Sequence, residues 1–321
     1  MNKNAVQNSP LFTIFTGTYN SEKIIDRVFK SIKNQNCRNF EWIVIDDCSS
    51  DNTVYEIENF VKELTDISVR FIKHKTNKGV GASRKEALSH AKGIYFVTWD
   101  HDDIQTERQL EIFKQLWSVH DAENVCNIFA KIVDQNGKIL GRKYPKEPYI
   151  SDYINAHNEY LVGSKEKGNV VEHHVCSKTK KYKKILQYFE ENIHLLRDHE
   201  PNGGDIWGTL AFLGYSTIYT NEVVRIYYIS EEGRKTMSDE PRSKGAERIY
   251  LYKLLWVNHW QSKLKNKSPK WVLRNHLAVA MYGFLAKKEF VEIIKDVKNS
   301  YSKIAVTMLI LPAYYLSKRY Q

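Results

Sequence analysis

Cysteine is scarce in this chain: four in 321 residues (Cys37, Cys48, Cys126 and Cys176), with no CxxC or other metal-ligand spacing. That excludes a zinc ribbon and the disulfide framework of a small secreted domain, so reduced thiols in a cytoplasmic protein are expected. Proline and glycine are also few, at 7 and 15, which leaves little room for linkers or low-complexity tracts. Apolar runs are short. The longest, IAVTMLILPAYYL over 304–316, is interrupted by Pro312 and falls below the roughly 18 to 20 residues of a spanning helix. It is expected to form a buried or an interfacial helix. The opening MNKNAVQNSPLF is polar and leads straight into a strand, so no signal peptide is expected.

What the chain does have is an ordinary globular balance, 42% hydrophobic and 27% charged, together with an excess of positive charge. The length predicts two domains, or one large domain with an appendage. A net charge of +10 invites nucleic acid, an anionic membrane surface or a phosphorylated substrate as partner. Its distribution narrows that choice. Residues 1–230 hold 30 Lys and Arg against 30 Asp and Glu, whereas 231–321 hold 18 against 8, the entire excess. A nucleic-acid reading of the first part loses its electrostatic support, and no helix-turn-helix, RRM or zinc pattern appears. The basic tail is rich in Tyr, Trp and Leu. Such helices suit an anionic membrane surface, or else a docked helical subdomain with a solvated basic face.

Periodicity supplies the architecture. A β-rich run over 11–16 is followed by the polar turn Thr18-Tyr19-Asn20, then by Ile24, Ile25, Val28, Phe29 and Ile32 at helical spacing. EWIVID (41–46) reads as a strand buried on both faces, 53–64 as a second helix, and 68–73 as another strand. A helix over 85–91 and the strand IYFVTW (94–99) complete an α/β alternation, which predicts a mainly parallel, doubly wound sheet. Beyond 124 the alternation weakens, with short strands over 125–133 and 216–220. Long helices are expected over 246–264 and 270–298, with a boundary near Ser230.

Ligands of doubly wound sheets bind beyond the carboxyl ends of the strands, and the polar clusters of this chain lie there. Asp46-Asp47 ends one strand; turn and helix capping by Asp47 and SSDNT accounts for that pair alone. A second strand ends in WDHDD, and three carboxylates within four residues repel one another unless a positive group joins them. Asp100 and Asp102 flank one residue and point the same way in extended chain, so both can reach one Mg²⁺ or Mn²⁺. Asn77-Lys78-Gly79-Val80-Gly81-Ala82-Ser83-Arg84 offers a loop, a helix N-terminus and two cations, which suits a pyrophosphate or a plain capped helix. It fits neither GxGxxG nor GxxxxGK[ST], which counts against dehydrogenases and P-loop NTPases. Asp205, in NGGDIW ahead of an apolar helical run, is either an N-cap or a carboxylate poised to take a proton from an alcohol.

Taken in order, FTGTYN, SIKNQNCRNFEWIVIDDCSSDNT, NKGVGASRKEALSHAKG and IYFVTWDHDD resemble the inverting family 2 glycosyltransferases of GT-A fold over Phe12 to Asp103. The likeness continues more faintly through GGDIWGTLAFLGYSTIYTNEVVRIYY to about Ser238. The resemblance implies a GT-A domain over 1–230, with a nucleotide-sugar half near 10–105 and an acceptor half near 106–230, plus a helical region over 231–321. It implies transfer of a single sugar from a nucleotide-sugar, UDP-linked, to an acceptor hydroxyl with inversion, since the QxxRW motif of processive synthases is absent. Thr18, Tyr19, Asn20 and Asp47 would contact the base and ribose, and Asn77 and Arg84 would stand at the phosphate end. Asp102 would be the direct ligand of Mn²⁺ or Mg²⁺, with Asp100 facing the ribose and the metal's waters. His101 is either incidental or in touch with the donor, and Asp205 would be the general base. Many relatives have Glu-Asp where this chain has Gly204-Asp205. Bacterial surface polysaccharide or lipopolysaccharide assembly, with a glycan or lipid-linked glycan as acceptor, is the implied setting, in the cytoplasm or peripheral on the inner face of the cytoplasmic membrane.

Other features have plainer readings. His173, His174 and His199 show no metal spacing. The basic run Lys178 to Lys184 is a solvated face or an acceptor or lipid-phosphate contact, and Arg234 and Lys235 could add charge at the diphosphate. Trp256, Trp260 and Trp271 are expected to pack the helical region. A sugar-phosphate nucleotidyltransferase would also pair aspartates with Mg²⁺ on an α/β sheet, but FTGTYN lacks its usual Gly-rich basic loop.

Overall fold

The computed structural model describes residues 9–156, 173–192, 203–228, 245–260 and 269–320. The chain divides into two compact units, Met1–Gln187 with Leu213–Ile229, and Tyr188–Phe212 with Ser230–Gln321.

In the first unit the strands β1 (Phe12–Thr18), β2 (Phe40–Asp46), β3 (Ser68–Lys73) and β4 (Tyr95–Thr98) pair in parallel, in the order β3-β2-β1-β4. Their crossovers carry α1 (Asp26–Lys33), α2 (Thr53–Glu63) and α3 (Val80–His90). Every residue of β2 is buried, as its unbroken apolar run requires of a strand covered on both faces. Phe29 of α1 stacks on Phe60 of α2 at 4.0 Å between centroids, and Trp42 of β2 meets both edge-on. Burial of each such side chain is worth about 1.5–3 kcal/mol. Gly93, just before β4, admits the backbone of β1: a Cβ there would lie 2.3 Å from the Thr13 amide nitrogen.

The sheet then becomes mixed. After β5 (Ile104–Gln105) and α4 (Gln109–His120) come β6 (Val125–Asp134), β7 (Tyr149–Ser151), α5 (Tyr153–Ala156), β8 (His174–Lys178), α6 (Thr179–Asn192) and β9 (Ser216–Tyr227). Beyond β4 the order runs β8-β6-β9-β5, with β7 also on β9. Antiparallel β8 sits between β4 and β6, so β6 again points the way β4 does. Two elements outrun their sequence patterns. β9 continues past Thr220 because a register shift against β6 lets Val223–Tyr227 resume pairing. α3 starts five residues before Lys85, at Val80, where Gly79 adopts φ +85° and lets the chain turn into the helix.

In the second unit the described elements are helical: α7 (Gly203–Phe212), α8 (Ala246–Leu255), α9 (Pro269–Leu285), α10 (Phe290–Asp296), α11 (Ser300–Met308) and α12 (Ile310–Lys318). Of the two long helices expected here, the second is broken. α8 passes into a π-helical turn over Trp256–Trp260. The stretch 270–298 is split because Lys287 takes a left-handed φ of 60°, after which a Glu289–Glu292 capping box starts α10. Gly283 accommodates the core residue Ile293, whose Cδ1 would lie 2.6 Å from an added Cβ. Trp256 is buried with its indole against Gly208, while the side chains of Trp260 and Trp271 lie outside the described residues.

Candidate active site

Because β1, β2, β3 and β4 run in parallel, their carboxyl ends lie along one edge of the sheet. Thr18, Asp46-Asp47, His74 and Asp100–Asp103 all fall on that edge.

At the end of β2 the two carboxylates are taken up by protein donors. Asp46 is buried and accepts from the Thr18 hydroxyl at 3.1 Å and the Ser49 amide at 2.9 Å, which ties the ends of β1 and β2 together. Asp47 accepts at Oδ1 from the Lys78 amide (2.8 Å), at Oδ2 from the Gly79 amide (2.6 Å), and bonds His74 Nδ1 at 2.7 Å. The other nitrogen of His74 reaches Glu86 Oε2 at 2.9 Å. Burial works to raise the Asp47 carboxyl, but the bonds from His74 and the two amides outweigh it and hold the group below its ordinary value. Between these ends, Asn20 (φ 47°) and Cys48 (φ 68°) both sit in the left-handed region. Asn tolerates that well and cysteine less so. Bonds across the two loops hold the pair: Asn20 N–H to Ser49 Oγ at 2.9 Å, and Ser50 N–H to Asn20 Oδ1 at 2.8 Å.

At the end of β4 the carboxylates are organised by arginines. Asp103 is buried, at 1% exposure, with Arg225 Nε 3.2 Å from its Oδ2 and the Tyr228 amide donating to its Oδ1 at 3.1 Å. Arg225 Nη1 also donates to Asp100 Oδ2 at 3.0 Å, yet the Asp100 side chain keeps 43% of its surface exposed. Burial pushes the Asp103 carboxyl up to about 7; Arg225 pulls against that rise, and the charges of Asp102 and Asp100 add to it. Asp102 is half-buried, and its carbonyl accepts from Arg27 Nη1 at 2.8 Å, while the Arg27 guanidinium lies 3.8 Å from the centroid of the Tyr228 ring. Short β5 pairs with β9 through Ile104–Ile226 and Gln105–Arg225, which brings Arg225 to this loop.

The strand ends thus gather Thr18, Asp47, Asp100, His101 and Asp102 of the expected set. Tyr19 is 48% exposed beside them, and Asn77 is exposed with its Oδ1 accepting from the Gly79 amide at 3.2 Å. His101 Nδ1 lies 3.0 Å from the Gly17 carbonyl, so that nitrogen ties the β4 end to β1. Arg84 is half-buried in the second turn of α3. Asp205 falls on α7, two residues inside rather than at the start as expected, and its side chain lies outside the described residues. Arg234, Lys235 and His199 also lie outside them. His174 is fully buried and stacks on Phe113; burial, then the Arg225 charge, lowers its pKa well below the usual range. Lys181 of the basic run pairs with Glu123.

Arg225, Arg27, His74 and Tyr228 were not singled out from the sequence. One signal was present: VVRIYY sets a lone arginine inside an apolar strand pattern, and a buried cation needs a carboxylate. Among the described residues no group of three or more His, Cys, Asp or Glu is assembled that could hold a metal by itself. Half-exposed Asp100 beside Asp102 is nonetheless an oxygen donor set of the kind suited to a hard divalent cation that completes its shell with water and phosphate.

Comparison with known proteins converges on one family. The profile of "Glycosyl transferase family 2" matches residues 13–164. The chain is 30% identical over 151 residues to the putative colanic acid biosynthesis glycosyl transferase WcaA of Escherichia coli K12, covering 45% of this chain and 52% of that one. The chain spans about half the length of the first curated relatives it matches. A longer alignment, 24% identical over 306 residues, covers 94% of this chain and 92% of the GalNAc(5)-diNAcBac-PP-undecaprenol beta-1,3-glucosyltransferase of Campylobacter jejuni. Among solved structures, S. aureus TarS 1–349 superposes with a TM-score of 0.55 at 16% identity, over 97% of this chain and 92% of that one. The same protein in complex with UDP-GlcNAc superposes with a TM-score of 0.54. Residues 13–164 therefore match glycosyl transferase family 2, carried on a fold of the GT-A type.

Proposed function

We propose that the chain is an inverting glycosyltransferase that moves one sugar from a UDP-sugar to an acceptor hydroxyl with the help of Mn²⁺ or Mg²⁺. The observation that carries this reading is the end of β4: Asp100 and Asp102 stand beside buried Asp103, held by Arg225 and Arg27, within the matched segment or bonded to it. Sugar transfer passes through an oxocarbenium-like state, so the departing diphosphate must be stabilised and the acceptor proton removed. A divalent cation held by Asp102, with Asp100 on its waters, would supply Lewis-acid stabilisation of the leaving group. Arg84 and the N-terminus of α3 would add positive charge at the phosphates. Thr18, Tyr19, Asn20 and Asp47 would receive the base and ribose, and Asn77 and His101 would flank the donor. Asp205 would take the acceptor proton, a contribution of roughly a hundred- to ten-thousand-fold. The names of the relatives, one a PP-undecaprenol glucosyltransferase and one in colanic acid biosynthesis, support a setting in bacterial polysaccharide assembly; the inner face of the cytoplasmic membrane would be its place.

The test is release of UDP from a panel of UDP-sugars with Mn²⁺ or Mg²⁺. Wild type is expected to turn over at least one donor, and Asp102→Ala to lose about a hundredfold or more. Asp205→Asn is expected to abolish transfer while calorimetry still shows UDP binding. Turnover of no donor would sink the reading, and wild-type turnover by Asp205→Asn would remove the base assignment.

A further inference from the structure

The last two helices are amphipathic in the wrong direction for a water-facing surface. α11 and α12 bury Ser302, Val306, Ala313 and Ser317, two of them serines and none of them large. Their outward positions carry Tyr301, Ile304, Met308, Leu311, Tyr314 and Tyr315, with Met308 and Leu311 each 77% exposed. Ile304 and Met308 lie four apart on α11, and Leu311 and Tyr315 four apart on α12, so each helix presents its large apolar residues on one face. Single exposed apolar residues are ordinary, but six large ones on two consecutive short helices make a patch of the kind that marks an interaction surface. The solvated basic face offered as one reading of the tail is not what these two helices present.

Charge identifies the occupant. No Asp or Glu occurs from residue 297 to 321, whereas Lys298, Lys303, Lys318 and Arg319 do. Lys318 and Arg319 lie over the rings of Tyr314 and Tyr315, at 5.5 and 5.3 Å from the centroids, so cations and aromatics share one end of the patch. A second copy docked face to face would bring eight such cations together, with no carboxylate side chain in the segment to pair them. An anionic bilayer surface resolves both problems at once. Its acyl boundary takes the apolar side chains, its interface suits tyrosine, and its headgroups draw the cations. No described helix is long and apolar enough to cross a membrane, so the contact is one of lying on the surface.

We infer that the outward face of α11 and α12 is a docking surface for an anionic lipid bilayer, entered by Ile304, Met308, Leu311 and Tyr315 and held by Lys318 and Arg319. This extends the membrane setting of the proposed function, and its test reads binding rather than transfer, so the two fail separately. The full chain is sedimented with phosphatidylcholine vesicles containing about one third phosphatidylglycerol, and with phosphatidylcholine alone. Wild type is expected to pellet with the anionic vesicles and much less with the neutral ones. The variant Met308→Ser/Leu311→Ser/Tyr315→Ser is expected to lose about tenfold or more of that binding. Lys318→Gln/Arg319→Gln is expected to lose several-fold and to abolish most of the salt dependence. These side chains face outward, so melting temperature and UDP release with a water-soluble acceptor should stay at wild-type values in both variants. Equal pelleting of wild type and the triple variant would overturn the inference. So would a wild-type dimer that the triple variant turns into a monomer, which would make the face a contact between copies.

Discussion

The ends of β2 and β4 carry similar acidic sequences, IDD and WDHDD, and the fold treats them differently. At β2 both carboxylates are consumed by the protein: Asp46 by Thr18 and Ser49, Asp47 by His74 and the amides of Lys78 and Gly79. At β4 only Asp103 is buried, against Arg225, and Asp100 keeps 43% of its side chain exposed with one oxygen on the same arginine. A strand-end aspartate is therefore open to a metal ion only when its neighbours leave it surface. Asp47 holds the loop that carries Asn77 and Gly79, and at β4 Asp100 keeps part of its side chain in solvent. Removing each anchor in turn shows whether this division is real.

The largest effect is expected at Arg225. Arg225→Met leaves Asp103 buried without its cation, which should cost about 3–5 kcal/mol in urea unfolding. Asp103 has a folded pKa raised to about 7, so its ionised form weakens the fold. Stability associated with the neutral acid is present below its unfolded value of 3.8 and is lost as the pH rises through 7. The deficit of Arg225→Met should accordingly shrink at acidic pH. Adding Asp103→Asn removes the orphaned charge and should restore part of the loss. If the double variant is no more stable than Arg225→Met at pH 8, the ion pair is not what holds this loop.

A smaller loss is expected at the other strand end. Asp47→Ala strands two loop amides and His74, at a cost of about 2–3 kcal/mol. Asp47 has a depressed folded pKa, so the stability it contributes is present above its ordinary value of 3.8 and is lost as the pH falls through the folded one. Wild type and Asp47→Ala should therefore converge only below 3.8, whereas the deficit of Arg225→Met already shrinks as the pH falls through about 7. Parallel pH profiles for the two variants would erase the distinction drawn between the two strand ends.

The contrast also marks what could be read in the chain. EWIVID and IYFVTW announced buried strands because each pattern is local and uninterrupted, and the helices between them followed from spacing alone. The GT-A resemblance rested on four such pieces in order. The partners that decide the fate of each carboxylate are not local. Asp47 meets His74 across 27 residues, and Asp100 meets Arg225 across 125. Only the folded sheet brings them together. In the tail, helical propensity ran on through Lys287 and Leu309, where a left-handed Lys287, a capping box at Glu289 and a non-helical Leu309 end the helices. For 304–316 the sequence left a buried and an interfacial helix both open, and which residues face outward on α11 and α12 was not legible. Composition gave the apolar residues and the cations, but which side is buried depends on the rest of the unit.

Lys131 supplies the mildest test, because it is a buried charge handled in a third way. It sits on β6 at 1% exposure, with its Nζ 3.9 Å from the centroid of the Tyr144 ring. Burial lowers its pKa to about 8 from 10.5, and the field of Glu147 opposes that shift. Between those values the unfolded chain holds a proton that the folded chain has shed, so stability rises with pH across this window. At pH 7 the buried cation costs about 3 kcal/mol by the same linkage. Lys131→Met removes that cost but also the cation–π contact, worth roughly 1–2 kcal/mol, so a net gain of about 1 kcal/mol is expected at pH 7. The gain should vanish toward pH 10, where the wild-type amine is already neutral in the fold. Urea unfolding of both chains at pH 7 and pH 10 reads this directly. A constant difference at the two pH values would mean that Lys131 keeps its charge when buried, and that an aromatic ring can serve this sheet as well as Arg225 serves Asp103.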